Sequence, residues 1–97
     1  MENTGIKPVV IDKIRELAQK HHLCRILLFG SRARGDYKRT SDIDLAVRGG
    51  NIAAFALDVE EETSTLLKYD IVNLDGPVQK DLLDSIEKEG RVLYEKV

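Results

Sequence analysis

Two aspartates, Asp42 and Asp44, stand two residues apart among apolar residues of the segment SDIDLAV. In an extended strand, residues two apart point to the same face, with Cα atoms about 6.6 Å apart. Two such carboxylates can bind one divalent ion or bracket two ions about 3.5–4 Å apart. Ligands that are all oxygen favour Mg²⁺ or Mn²⁺ over zinc. The alternative is a solvated strand face on which the aspartates do no chemistry.

A Gly-Ser turn precedes the aspartates by about a dozen residues. Gly30 and Ser31 end an apolar run, and the residues from Arg32 to Arg34 are expected to form a short helix. The start of a helix offers free backbone amides to a phosphate, and glycine permits close approach. From Gly30 to Ser41 four cations stand against one anion, a local charge of +3. This segment therefore suits a compact polyanion such as a nucleoside triphosphate, although an ordinary strand-to-helix turn has the same sequence.

A third carboxylate, Asp70, interrupts an apolar run that we predict to be a strand of the same sheet. A lone carboxylate is costly to bury, so its presence in such a run requires an explanation. One explanation is a salt bridge to Arg32 or Arg34. The other is a role as a third metal ligand or as a base for an attacking hydroxyl.

The overall composition predicts one domain spanning residues 1–97 and excludes several functional classes. The single cysteine cannot form an internal disulfide, and no apolar stretch approaches the length of a membrane span. We therefore expect a cytoplasmic protein with no membrane association. A net charge of −2 argues against direct DNA binding, and the absence of G-x-x-x-x-G-K-[ST] argues against a P-loop NTPase or kinase.

Hydrophobic periodicity predicts helices and strands in alternation. The expected elements are a helix beginning at Pro8, a strand over 25–29, a short helix over 32–34, a strand over 42–47, a helix capped by Asn51 with a stripe reaching Leu67, a strand over 69–74, a helix from Val78 ended by Gly90, and an edge strand over 91–94. This order predicts an α/β (α+β) fold, a small mixed β-sheet covered by helices.

These motifs together resemble the signature of the polymerase-β-type nucleotidyltransferase superfamily, most closely its minimal nucleotidyltransferase (MNT) family. The resemblance rests on Gly30-Ser31-x-Ala33-Arg34-Gly35, on Ser41-Asp42-Ile43-Asp44-Leu45 and on Asp70 in a later strand. It implies transfer of a nucleoside monophosphate from ATP to a hydroxyl, with release of pyrophosphate.

The resemblance also implies roles for individual residues. Asp42 and Asp44 would be catalytic and hold two Mg²⁺ ions, and Asp70 would complete one metal site near the acceptor hydroxyl. The nucleotide-binding residues would be Gly30, Ser31, Arg32 and Arg34, with the first two at the β- and γ-phosphates.

Members of the MNT family often pair with a small helical HEPN toxin, and some add AMP to a tyrosine of that toxin. The resemblance therefore implies an antitoxin of a type VII-like toxin–antitoxin module. An acidic patch of Asp58, Glu61 and Glu62 is expected to project from the third helix and to dock a basic partner. The alternative is a non-catalytic binding module that neutralises its partner by direct contact.

Overall fold

The structure, a computed structural model, describes residues 3–96. Helices and strands alternate as the periodicity predicts. The elements are α1 (Pro8–Lys20), β1 (Arg25–Phe29), α2 (Ser31–Arg34), β2 (Ile43–Arg48), α3 (Ile52–Glu62), β3 (Tyr69–Asn73), α4 (Lys80–Glu89) and β4 (Arg91–Glu95).

The four strands form one mixed sheet in the order β3-β2-β1-β4. Strand β1 pairs antiparallel with β2 and β4, whereas β2 and β3 are parallel. The end of β1 and the starts of β2 and β3 consequently meet at one end of the sheet. The Gly-Ser turn and all three aspartates lie at that end.

The two faces of the sheet are covered differently. Helices α1 and α3 pack on one face and bury Ile14, Leu17, Phe55 and Val59 against the strands. The other face carries α4, whose Ile86 packs with a much smaller set of buried residues, namely Leu27, Phe29 and Ala46. The predicted mixed sheet with helical cover is confirmed.

Helix α3 is shorter than its apolar stripe predicts. The cap is correct, since Asn51 Oδ1 accepts a hydrogen bond from the amide of Ala54 at 3.2 Å. The continuation to Leu67 is wrong, because the helix ends at Glu62 and Thr63 is extended. The Thr63 hydroxyl donates to the Val59 carbonyl at 2.5 Å. The run Thr-Ser-Thr offers such competing side-chain bonds and breaks the helix.

Other boundaries differ by one or two residues. Strand β2 begins at Ile43, so Asp42 lies just before it, and α4 begins at Lys80 rather than Val78. Gly90 ends α4 as predicted, but with φ −62° it is not left-handed. A Cβ at Gly90 would collide with the carbonyl oxygen of Ile86, which explains the glycine.

Across residues 3–96 no helix combines the length and the apolar character that a membrane span requires.

Candidate active site

Three carboxylates come together at the end of the sheet where β2 and β3 begin. Asp44 is paired with Phe29 of β1 on one side and with Asp70 of β3 on the other. Asp44 is partly buried, whereas Asp42 and Asp70 are exposed. The chain thus brings Asp42 and Asp70, the other two aspartates that the sequence singled out, to the neighbourhood of Asp44.

The electrostatics of Asp44 reflect this crowding. Partial burial, and then the charges of Asp70 and Asp42, raise the pKa of the Asp44 carboxyl from 3.8 to about 6. The positive charges of Arg34 and Arg32 oppose the shift only weakly. Like charges this close make the ionised form unfavourable without a cation.

The salt-bridge explanation for Asp70 is contradicted. Within residues 3–96, Arg34 pairs with Asp36 and Glu89, and Asp70 forms no ion pair. The premise of costly burial is also wrong, because β3 is an edge strand and Asp70 is exposed. Its exposed position beside Asp44 leaves the Asp70 carboxylate accessible from solvent.

The carboxylates suit a divalent cation in chemistry but do not form a closed cage. Among residues 3–96, no cluster of three or more histidine, cysteine or acidic side chains is arranged to hold a metal ion. The donor set nevertheless consists of carboxylate oxygens, which suit Mg²⁺. Mg²⁺ usually takes only one or two protein carboxylates and shares the rest of its shell with water and substrate phosphates. An open arrangement of Asp42, Asp44 and Asp70 therefore fits this ion.

The Gly-Ser turn packs directly against Asp44. Gly30 has φ +75° and ψ −158°, a conformation that only glycine adopts readily. A Cβ at this position would collide with Oδ2 of Asp44. The Gly30 carbonyl accepts the amides of Ala33 and Arg34, both at 3.1 Å, and so starts α2 with Ser31 as its first residue. Glycine thus brings the backbone turn and the carboxylate together.

Arg32 is buried and holds the loop that follows it. Its Nη1 donates to the Thr4 carbonyl at 2.9 Å, and its Nε and Nη2 donate to the Ser41 carbonyl at 3.1 and 2.9 Å. The guanidinium also lies 4.9 Å from the centre of the Tyr37 ring. These bonds hold Ser41, the residue before Asp42, in place. Arg32 therefore positions the loop that leads into the site. The sequence could not separate this arginine from Arg34.

Arg34 is exposed beside the same turn. Its Nε lies 3.2 Å from Asp36 Oδ2, and its Nη1 lies 2.9 Å from Glu89 Oε2 at the end of α4. Of the two arginines predicted to bind the nucleotide, Arg34 is the one whose charged group reaches solvent at the turn.

A trough borders Asp42 on the β3 side of the site. One hollow of about 630 Å³ is lined by residues 39, 40, 42 and 66–68. A neighbouring hollow of about 670 Å³ shares residues 39, 66 and 67 and extends to residues 5–7, 10 and 63–65. Sequence reasoning missed this trough because it assigned the segment 63–67 to α3. The only available signal was the Thr-Ser-Thr run.

The predicted acidic docking patch is largely used within the chain. Asp58 Oδ2 lies 2.6 Å from His21 Nε2, and this hydrogen bond is the main cause that lowers the pKa of Asp58. Glu62 lies 3.6 Å from Lys13 and 3.9 Å from Lys20 of α1. The patch prediction is corrected, since two of its three acids join α3 to α1.

Comparisons with known proteins agree with this geometry. The family model described as "Polymerase beta, Nucleotidyltransferase" matches residues 12–97. The chain is 38% identical over 80 residues to "Putative protein adenylyltransferase MJ0604" of Methanocaldococcus jannaschii, an alignment covering 72% of this chain and 77% of the relative.

Solved structures share the fold. A crystal structure described as a toxin-antitoxin with AMP-PNP has a TM-score of 0.66 and 29% identity, covering 89% of this chain and 73% of that one. A structure described as a "putative minimal nucleotidyltransferase" has a TM-score of 0.64 and 28% identity, covering 84% and 86%. The family match covers most of the chain and includes every predicted site residue. The chain therefore belongs to the polymerase beta nucleotidyltransferase family, as its motifs predicted, and is a nucleotidyltransferase.

Proposed function

We propose that this nucleotidyltransferase moves AMP from ATP to a hydroxyl of a partner protein and requires Mg²⁺. The observation that carries the proposal is the grouping of Asp42, Asp44 and Asp70 beside the Gly30 turn at one end of the sheet. The likeness to a relative named as a protein adenylyltransferase supports the choice of a protein acceptor.

Each residue has a defined part in this proposal. Asp42 and Asp44, with Asp70, would hold two Mg²⁺ ions, which neutralise charge on the triphosphate when bound. The backbone turn at Gly30 and the Ser31 hydroxyl hold the β- and γ-phosphates, and Arg34 adds a positive charge beside them. Arg32 serves the site by fixing the loop, which replaces its predicted contact with the nucleotide.

Asp70 is the residue best placed for the acceptor. It is exposed on the edge strand and stands beside Asp44. The acceptor oxygen forms a bond to the α-phosphorus, and the bond from that phosphorus to the bridging oxygen breaks, releasing pyrophosphate. The hydroxyl proton passes to the Asp70 carboxylate, which then returns it to water.

We further propose that the acceptor is a tyrosine of a small helical HEPN-type toxin and that the protein acts as its antitoxin. Structural neighbours described as toxin–antitoxin complexes, one of them with AMP-PNP and another as MntA-HpeT, support this partner. The decisive experiment is intact-mass spectrometry of the co-expressed toxin. A mass increase of one or more AMP groups with the wild-type protein, absent with Asp44→Asn, supports the proposal. An unchanged toxin mass in both contradicts it.

One observation favours a second function, the non-catalytic binding module. Among residues 3–96 no group of three or more acidic, histidine or cysteine side chains forms a metal site by itself, and a binding module needs none. If neutralisation needs contact alone, Asp44→Asn will still protect cells from the toxin. If it needs transfer, that variant will lose protection while still binding the toxin.

A further inference from the structure

The trough beside Asp42 is lined by three cations that pair with no acid among residues 3–96. Lys7, Arg39 and Lys68 line it, and all three are exposed. None forms an ion pair with any residue of the segment 3–96, although Lys13, Lys20, Arg25 and Arg34 do. Free cations around a concavity favour an anionic occupant.

The rim of the trough is also apolar at one point. Leu66 is fully exposed, and its neighbour Leu67 is partly buried against the core. The loop that carries them, residues 63–68, leads directly into β3. Cations around an exposed leucine match a polypeptide with acidic and apolar side chains, because both kinds of contact are available side by side.

The position of the trough separates it from the triphosphate site. The Gly30 turn follows β1, whereas the trough lies at the start of β2 and β3, where the Ile43 amide donates to the Lys68 carbonyl at 2.8 Å. An in-line displacement places the attacking and leaving oxygens on opposite sides of the phosphorus. With pyrophosphate leaving on the β1 side, the acceptor enters from the β3 side, which is the side of the trough.

We propose that the trough docks an acidic segment of the acceptor protein and presents its hydroxyl to Asp42 and Asp70. This inference rests on the proposed function, since it identifies the acceptor's binding surface. It replaces the predicted basic partner for the α3 patch, whose Asp58 and Glu62 are paired with α1.

The test measures peptide binding separately from catalysis. The probes are two fluorescent peptides of about twelve residues, each with one tyrosine and one leucine, of which one carries Asp and Glu and the other Lys at the same positions. Fluorescence anisotropy gives their affinities for three proteins. These are the wild type, a trough variant (Lys7→Gln, Arg39→Gln, Lys68→Gln), and a control variant with the same charge change on exposed residues elsewhere (Arg48→Gln, Lys80→Gln, Lys96→Gln).

We expect the acidic peptide to bind the wild type, to bind the trough variant at least about tenfold more weakly, and to bind the control variant within about twofold. The difference should shrink as salt rises toward 150 mM, where the screening length is about 8 Å. Leu66→Ser should weaken binding as well without unfolding the protein, because the side chain makes little contact with the core.

Three results would overturn the inference. One is equal binding of the acidic peptide to the trough and control variants, and another is equal binding of both peptides to the wild type. The third is a loss of Mg-ATP affinity in the trough variant with peptide binding intact, which would assign the trough to the nucleotide. Failure of the proposed function looks different, because the wild type would bind the acidic peptide and transfer no AMP to any acceptor.

Discussion

The two faces of the sheet differ in role: one carries the larger core, and the other carries Asp44. Under α1 and α3 lies the larger core, to which β2 contributes the fully buried Ile43, Leu45 and Val47. On the face under α4, the same strand contributes Ala46 and Asp44. The alternation of one strand therefore separates the residues that hold the fold from the residue placed for chemistry.

This division explains how the fold tolerates crowded carboxylates. The repulsion among them falls at the end of the less covered face, where water reaches Asp42 and Asp70. The core on the opposite face supplies the free energy of folding that offsets it. Changes on the α4 face near Asp44 should consequently alter activity, and changes under α1 and α3 should alter stability.

The largest effect is expected from Asp44→Asn. Transfer of AMP should fall at least about a thousandfold, equal to about 4 kcal/mol in the activation barrier, because the carboxylate is lost where metal and phosphates meet. Asp42→Asn should behave alike. Activity with labelled ATP and an acceptor measures the effect, and circular dichroism checks the fold. Asp84→Asn, at an exposed position of α4, is the matched control. Near-normal transfer by either site variant would remove that carboxylate from the site.

Substitutions that shorten core side chains should lower stability, whereas the substitutions at Asp42 and Asp44 lower activity. Phe55→Ala under α3 should reduce the free energy of unfolding by about 4 kcal/mol, and Ile86→Ala in α4 by about 2 kcal/mol, because Phe55 lies in the larger cluster. Urea denaturation at a common m-value measures both. An equal or larger loss for Ile86→Ala would mean that the α4 face contributes as much to stability as the other.

Substitutions of Arg32 and of Arg34 should differ in their effect on stability, although both residues belong to one motif. Arg32→Ala removes a buried guanidinium and leaves the carbonyls of Thr4 and Ser41 without their donor. We expect a loss of about 3 kcal/mol in the free energy of unfolding. Arg34→Ala should leave stability nearly unchanged and raise the KM for Mg-ATP. Equal destabilisation by the two variants would contradict the structural role assigned to Arg32.

The two arginines show which features of the site could not be predicted from the sequence. The strand alternation around Asp44 and the Gly-Ser turn were sufficient to predict the sheet and to select the residues that meet. Burial of Arg32 was not predictable, because its partners are backbone carbonyls of Thr4, Arg39 and Ser41, which carry no signature in the sequence. The trough was also missed, since hydrophobic spacing through Leu67 imitated a helix that the Thr63 hydroxyl bond ends.

Substitutions in the Gly30-Ser31 turn should have a smaller effect, which falls on the affinity for Mg-ATP. Ser31→Ala should weaken Mg-ATP binding by about 1–3 kcal/mol if its hydroxyl donates to a charged phosphate. Gly30→Val should do worse, because its side chain would enter the space of the Asp44 carboxylate. Calorimetric titration of Mg-ATP measures both, with Ser85→Ala on exposed α4 as the control. Unchanged affinity in both turn variants would exclude the turn from the nucleotide site.

The smallest effect concerns stability without metal, and its sign depends on pH. The folded state raises the pKa of Asp44 from 3.8 to about 6, so it binds a proton more tightly than the unfolded chain does. The contribution of Asp44 to stability therefore falls as pH rises from about 4 to about 6 and stays low at pH 7. An asparagine at position 44 carries no charge, so this loss of stability with rising pH does not occur in Asp44→Asn.

Asp44→Asn should accordingly match the wild type near pH 4 and exceed it at pH 7. Full conversion of the shift would give about 3 kcal/mol, but solvent screening of this partly exposed group reduces the expected gain to about 1 kcal/mol. Urea denaturation in EDTA at both pH values measures it, and Mg²⁺ with ATP should narrow the gap at pH 7. A gain of the same size at pH 4 would show that the repulsion among the three aspartates is not its cause, because Asp44 is then largely protonated in the folded protein.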